Sequence, residues 1–213
     1  MSEAKGAAPD RRERTLLTAL LFSAPGPLIT GFIALASRSP TQIADFVRRT
    51  AELVATFVSW LAFHRLRRGA YDGAARARME VGVGRTVAGA MLFSGVALLF
   101  VGVRGLFIYA VMGSVAGGLV IAALGLAMNT FFWLRYRSMT RAAPDAILLA
   151  QRRLYRAKAC VDLCVVIALL AVAIAPAHPA TRYVDALGSI VVACYLLYNG
   201  VAGLRGNDNT SPK

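Results

Sequence analysis

Residues 81–103 read VGVGRTVAGAMLFSGVALLFVGV, an apolar run broken by one arginine. That exceeds the ~20 residues a helix needs to cross the hydrocarbon of a bilayer. Comparable runs lie at about 15–36, 42–63, 146–175 and 183–204, and another follows the tight Arg104–Gly105 junction and ends near 134. The chain is 57% apolar and 16% charged, whereas a globular domain is usually about 45–50% apolar. A water-soluble core does not need so much apolar surface. An isolated strand facing lipid cannot satisfy its backbone groups, so each run is read as a helix. The expectation is an all-α integral membrane protein, a six-transmembrane-helix bundle over 15–205. A basic cytoplasmic tail (1–14) precedes it and a short polar tail (206–213) follows.

The positive charges set the orientation. Lys5, Arg11, Arg12 and Arg14 precede the first run, and Arg65, Arg67, Arg68, Arg76 and Arg78 join the second to the third. Arg135, Arg137, Arg141, Arg152 and Arg153 join the fourth to the fifth, and Arg205 and Lys213 follow the sixth. The other connections hold Arg38, Arg104 and Arg182, so the count is 16 against 3 and alternates with each crossing. By the positive-inside rule both termini are cytoplasmic, as in a bacterial inner-membrane protein. In a soluble chain a net charge of +13 would point to nucleic acid; here the excess is topology, the partner is the lipid bilayer, and no nucleic acid is expected.

The twin arginine Arg11-Arg12 before an apolar stretch resembles a Tat-type signal. The run continues past Pro25-Gly26-Pro27 to residue 36, too long for a signal core of about 7–15 residues. Cleavage would also spoil the charge alternation. Pro25-Gly26-Pro27 should interrupt or kink the first helix, because Pro27 cannot donate to the ladder.

Ionisable residues sit where an apolar run should have none. The second run carries Asp45, Arg48, Arg49 and Glu52, and the fifth carries Lys158 and Asp162. A charge at bilayer depth costs about 2.5–3.5 kcal/mol on the insertion scale, so such residues pair or work. Asp45, Arg48 and Glu52 share one helix face at i, i+3, i+7. The second run descends from outside and the fifth ascends from the cytoplasm, with about 6 Å between members of each pair at 1.5 Å per residue. If the helices touch, Arg48 falls level with Asp162 and Glu52 level with Lys158, matching opposite charges. The local alternative is pairing within each helix at i, i+4: Arg48–Glu52, Asp45–Arg49 and Lys158–Asp162.

These residues resemble the motifs of the cation diffusion facilitator family, six-helix metal/proton antiporters. The family's second helix carries a pattern close to A-D-x-x-[HD]-x-x-x-D and its fifth an [HD]-x-x-x-D. Here the second reads Ala44-Asp45-Phe46-Val47-Arg48-Arg49-Thr50-Ala51-Glu52, and the fifth Lys158-Ala159-Cys160-Val161-Asp162. Thr30-Gly31-Phe32-Ile33-Ala34-Leu35 ends the first run, Glu80 opens the third, Asn129 falls late in the fourth and Asp185-Ala186-Leu187 opens the sixth, all similarly placed. The resemblance covers about 15–205. It implies proton-linked transport by alternating access, a homodimer, no enzyme activity and no cofactor, with a divalent metal ion as the transported substrate.

The departures fall on the ligands. Four positions correspond to the family's metal ligands: Arg48, Glu52, Lys158 and Asp162. Glu52 and Asp162 keep carboxylates and are the candidates left to a metal. A guanidinium has no lone pair to offer, and a lysine ligates only when stripped of its proton. The four formal charges sum to zero and two cations repel a dication, so the usual tetrahedral zinc site is not expected. In its place stands a charge-paired cluster, with Glu52 and Asp162 as exchangeable acids and Arg48 and Lys158 as gating partners. Cys160 and Cys164 are possible soft ligands but stand roughly opposite Asp162 around the helix, and are read as packing residues. With Cys194 they offer neither a disulfide framework nor a zinc ribbon. His64 and His178 lie at opposite membrane faces. Gly113–Gly117 is a GxxxG spacing suited to close helix packing. No Walker loop, dinucleotide fingerprint, HExxH or nucleophile elbow is found. The family's cytoplasmic C-terminal domain is not expected after Lys213, so dimerisation would run through the transmembrane helices. The alternative function is a non-transporting membrane scaffold or accessory subunit that keeps the transporter fold.

Overall fold

The computed structural model describes residues 3–37, 40–69, 71–107, 115–174 and 180–208. His178, Pro176, Pro179 and Gly113 of the GxxxG pair lie outside the described residues, as does the side chain of Asp185. The described residues form helices and short turns, with no strand among them. In chain order the helices are α1 (Glu3–Ser23), α2 (Pro25–Ser37), α3 (Pro40–Arg68), α4 (Gly73–Phe107), α5 (Val115–Ala142), α6 (Ala146–Ile174) and α7 (Ala180–Asp208).

Capping chemistry fixes the ends. Pro25 and Pro40 open α2 and α3, the position where a missing N–H is harmless and φ is already helical. Asp72 caps α4, its Oδ1 accepting from the Ala75 N–H at 2.6 Å. Asp145 caps α6, accepting from Ile147 and Leu148 at 3.0 and 3.1 Å.

The first apolar run is interrupted at its prolines, as the sequence reading expects: Ala24 closes the last turn of α1 on Leu20 and Pro25 starts afresh. Two features differ from that reading. α1 itself begins at Glu3, so the basic segment before residue 15 is already helical. The Arg104–Gly105 junction is no turn: α4 continues through it to Phe107. One glycine costs a helix interior about 1 kcal/mol, too little to break a long helix, and here the missing side chain lets Ala186 pack in close.

α4 lies along α7 in the most extensive helix pairing, α5 lies along α6, and α3 bridges α4 and α2. Glycine makes the α4–α7 approach possible. A Cβ on Gly102 would stand 2.8 Å from Ile190 Cγ1 and 3.0 Å from the Ala186 carbonyl oxygen, and one on Gly200 would stand 2.6 Å from Leu92 Cγ. Lipid supplies no hydrophobic drive between helices, so contact of this kind holds them together. Val87, Met91, Ile147, Leu154, Val161 and Leu196 form one core. Leu16, Phe132, Tyr136, Leu148 and Tyr155 form a second, between α1, α5 and α6.

Leu28, Phe32, Leu35, Phe107 and Ile174 point outward, more than 70% exposed, as lipid-facing residues do. Among the described residues, four stretches are long and apolar enough to span a membrane: Arg11–Phe32, Gly73–Phe107, Leu119–Ala142 and Ala186–Arg205. α3 and α6 are 29 residues each, about 44 Å at the helical rise, but carry the interior charges. The chain is an all-helical integral membrane protein.

The packing gives a direct test. Gly102→Val and Gly200→Val should each lower stability in detergent by about 1–3 kcal/mol through overpacking. Gly89→Ala, whose added Cβ meets nothing within 4 Å, should leave stability unchanged or raise it by up to about 1 kcal/mol. Thermal unfolding of the three variants distinguishes them.

Candidate functional site

The break between α1 and α2 opens a cavity of about 210 Å3 against α3, α5 and α6. α3 contributes Arg48, Arg49 and Glu52, α5 contributes Asn129 and Gly125, and α6 contributes Tyr155, Lys158 and Asp162. Ser23 and Gly26 line it from the break itself.

Burial dictates the pairing. Arg48, Glu52 and Lys158 are 6, 5 and 7% exposed, and an unpaired charge so deep would be costly. Arg48 donates from Nη1 to Glu52 Oε1 at 2.9 Å and from Nη2 to Asp45 Oδ1 at 2.7 Å. Asp45 also accepts from Arg49 Nε at 2.8 Å. The second Glu52 oxygen faces Lys158 Nζ at 3.5 Å, across the α3–α6 boundary. Ser94 on α4 adds a hydroxyl 3.4 Å from Glu52 Oε1, and the Lys158 ammonium lies 4.9 Å from the Tyr155 ring centroid. Tyr155 is itself fixed by Ser23, 3.0 Å from its hydroxyl.

Asp162 stands apart from this network. It is only half-buried, and its Oδ2 accepts from Asn129 Nδ2 at 2.6 Å. No cation lies within ion-pairing distance of it among the described residues. A Cβ on Gly125 would come 3.2 Å from Asp162 Oδ2, so the missing side chain lets the carboxylate press against α5.

Half of the expected crossed register is present. Glu52 and Lys158 meet, but Arg48 and Asp162 form no ion pair, because the guanidinium is already saturated by two acids on its own helix. Of the local alternatives, Arg48–Glu52 and Asp45–Arg49 form. Lys158–Asp162 does not: Lys158 turns to Glu52 and Asp162 to Asn129. Cys160 and Cys164 do not line the cavity; Cys164 packs beside the apolar core. Glu80 lies elsewhere, paired with Arg76 at 2.9 Å. His64 sits at the far end of α3, bonded to Glu13 and stacked on Trp60. No three His, Cys, Asp or Glu side chains converge on a metal-sized site among the described residues.

The sequence reading did not single out Ser94, Gly125, Ser23 or Tyr155. The proline-glycine break in the first run is a signal that could have found Ser23, since broken helices line sites in many transporters.

A helical membrane bundle with buried charges around an internal cavity is the architecture of a membrane transport domain. The profile of the cation efflux transmembrane domain matches residues 16–207, and the chain belongs to that family. Comparison with curated proteins gave no significant match.

The network predicts where energetic coupling lies. Glu52→Gln or Lys158→Met alone should each cost about 3–5 kcal/mol, and the double variant should recover about 1–3 kcal/mol of the sum. The Arg48–Asp162 cycle should show coupling below about 0.5 kcal/mol. Unfolding of the purified variants in detergent measures both cycles.

Proposed function

We propose that the protein is a proton-linked cation transporter of the diffusion facilitator type, in which a charge-paired cluster replaces the midplane metal site. The observation that carries this reading is Asp162: a cavity-facing carboxylate held by one amide, with no ion pair among the described residues. Protonating Glu52 would give up interactions with Arg48 and Lys158. Protonating Asp162 gives up no ion pair. Asp162 is therefore the exchangeable acid, and Glu52 the fixed partner that positions Lys158. Alternating access moves α6 against α3, with Lys158 and Arg48 as the gating cations and the α1–α2 break as the yielding wall. Broken helices serve this purpose in many transporters.

The cargo is not bound as zinc is in a tetrahedral site. Two of the four corresponding positions are cations, and a unit positive charge about 4 Å from another repels it by about 4 kcal/mol at an effective dielectric of 20; a dication doubles that. Glu52 and Asp162 remain the carboxylates nearest to any transported metal. Six crossings, cytoplasmic ends and an inner-membrane location follow from the arginine distribution, and a homodimer would form through transmembrane helices. The chain performs no covalent chemistry in this reading, binds no cofactor and needs no nucleic acid. A scaffold or accessory role is favoured by one observation, the saturation of Arg48 by two acids.

Reconstituted proteoliposomes with an internal pH dye test the reading. Asp162→Asn should abolish cation-driven proton flux, by at least about 100-fold, while leaving melting temperature within a few degrees of wild type. Flux that survives this change overturns the transport mechanism and leaves the scaffold role. Calorimetry should find no tight Zn²⁺ site. For topology, a periplasm-active reporter inserted between Arg68 and Gly73 should be silent, whereas one inserted at 108–114 should be active.

A further inference from the structure

A second cavity of about 210 Å3 lies between α4, α6 and α7. It sits where Arg76 and Arg78 open α4, Arg152 and Arg153 open α6 and Arg205 closes α7. Its floor is carbon: Val87 and Met91 from α4, Leu149 and Ala150 from α6. Gly84 and Gly203 also line it, and Glu80, Arg153 and Asn199 form the polar wall.

The charge in that wall is positive. Glu80 is neutralised on its own helix by Arg76 at 2.9 Å. Arg153 makes no ion pair within 4 Å among the described residues. Behind it, Arg156 donates from Nη2 to Asn199 Oδ1 at 3.2 Å, and its Nε is buried without an acceptor. The space therefore presents one guanidinium, that of Arg153, with no ion pair among the described residues, above an apolar floor. A fully hydrated ion gains nothing from that floor, whereas an amphiphile with an anionic head uses both halves. Basic pockets between transmembrane helices near a membrane surface take phospholipid headgroups.

We propose that this cavity binds the phosphate-bearing headgroup of an anionic membrane phospholipid. Arg153 contacts the phosphate, and the start of an acyl chain lies on the floor of Val87, Met91 and Leu149. The site is separate from the Asp162 cavity, and its occupancy does not depend on the transport reading.

The test uses the purified full chain, stripped of lipid in detergent, with thermal stability as readout. Short-chain phosphatidylglycerol, the matching diacylglycerol without phosphate, and inorganic phosphate are titrated separately. The proteins are wild type, Arg153→Gln, Ala146→Leu and Arg65→Gln. Ala146 is an exposed lining residue, so the larger side chain narrows the cavity without disturbing the core. Arg65 is an exposed arginine on α3 and controls for loss of charge alone. The expected result is saturable stabilisation by the phospholipid only, with a midpoint about tenfold weaker in Arg153→Gln and Ala146→Leu and unchanged in Arg65→Gln. Equal weakening in Arg65→Gln would mean diffuse electrostatics and overturn the site. Stabilisation by inorganic phosphate as strong as by lipid would make the occupant a free ion and overturn the lipid assignment. An unchanged midpoint in Arg153→Gln would overturn both.

Discussion

Glu52 holds the molecule together at its most expensive point. It lies 5% exposed on α3 and faces a guanidinium from its own helix and an ammonium from α6. Lys158 would be left without an ion pair among the described residues if Glu52 were lost, and desolvating an unpaired charge costs more than packing returns. The ion pair to Lys158 bonds α3 directly to α6, two helices that otherwise touch sparingly. Nearby, Gln151 on α6 adds a neutral bond to Ser59 on α3 at 2.7 Å. The α3–α6 boundary is thus polar, while α4–α7 is held by glycine-mediated van der Waals contact. A boundary with discrete polar contacts can switch between arrangements; one with interlocked glycines moves as a unit.

The helix break supplies the space beside that polar boundary. With Ala24 ending one helix and Pro25 beginning another, the first run is broken beside a cavity lined by Ser23 and Gly26. The same geometry brings Ser23 to Tyr155, whose ring lies beneath the Lys158 ammonium. Proline chemistry in the first run is therefore connected through one hydroxyl and one ring to the lysine of the charged cluster.

The fold was legible because its determinants are local. Run length and Pro25-Gly26-Pro27 each report on a single helix or loop. The Arg104–Gly105 junction was misread because glycine permits a turn but does not compel one, and Ala186 packing against Gly105 stabilises the helix there. The site was half legible. Axial rise places Glu52 level with Lys158, and the structure pairs them. Rise alone says nothing about competition: Arg48 had three acids within reach and Asp45 and Glu52 saturated it. Asp162 then took its bond from Asn129, a residue on α5 that the family resemblance had brought to attention but that helical geometry could not have placed.

The unequal treatment of the two carboxylates bears most directly on function. A network selected only to stabilise the bundle gains by placing every acid against a cation, as Asp45 and Glu52 are placed. Asp162 is instead held by a single neutral amide, half-buried beside a cavity, with Gly125 cleared to receive it. A carboxylate in that position adds little to stability, because its desolvation is only partly offset by one hydrogen bond. Removing its charge costs the bundle no ion pair among the described residues, and leaves the bonds between α3 and α6 in place. A purely structural role leaves the exposure of Asp162 to the cavity without a reason; the proposed exchange of charge at that carboxylate provides one.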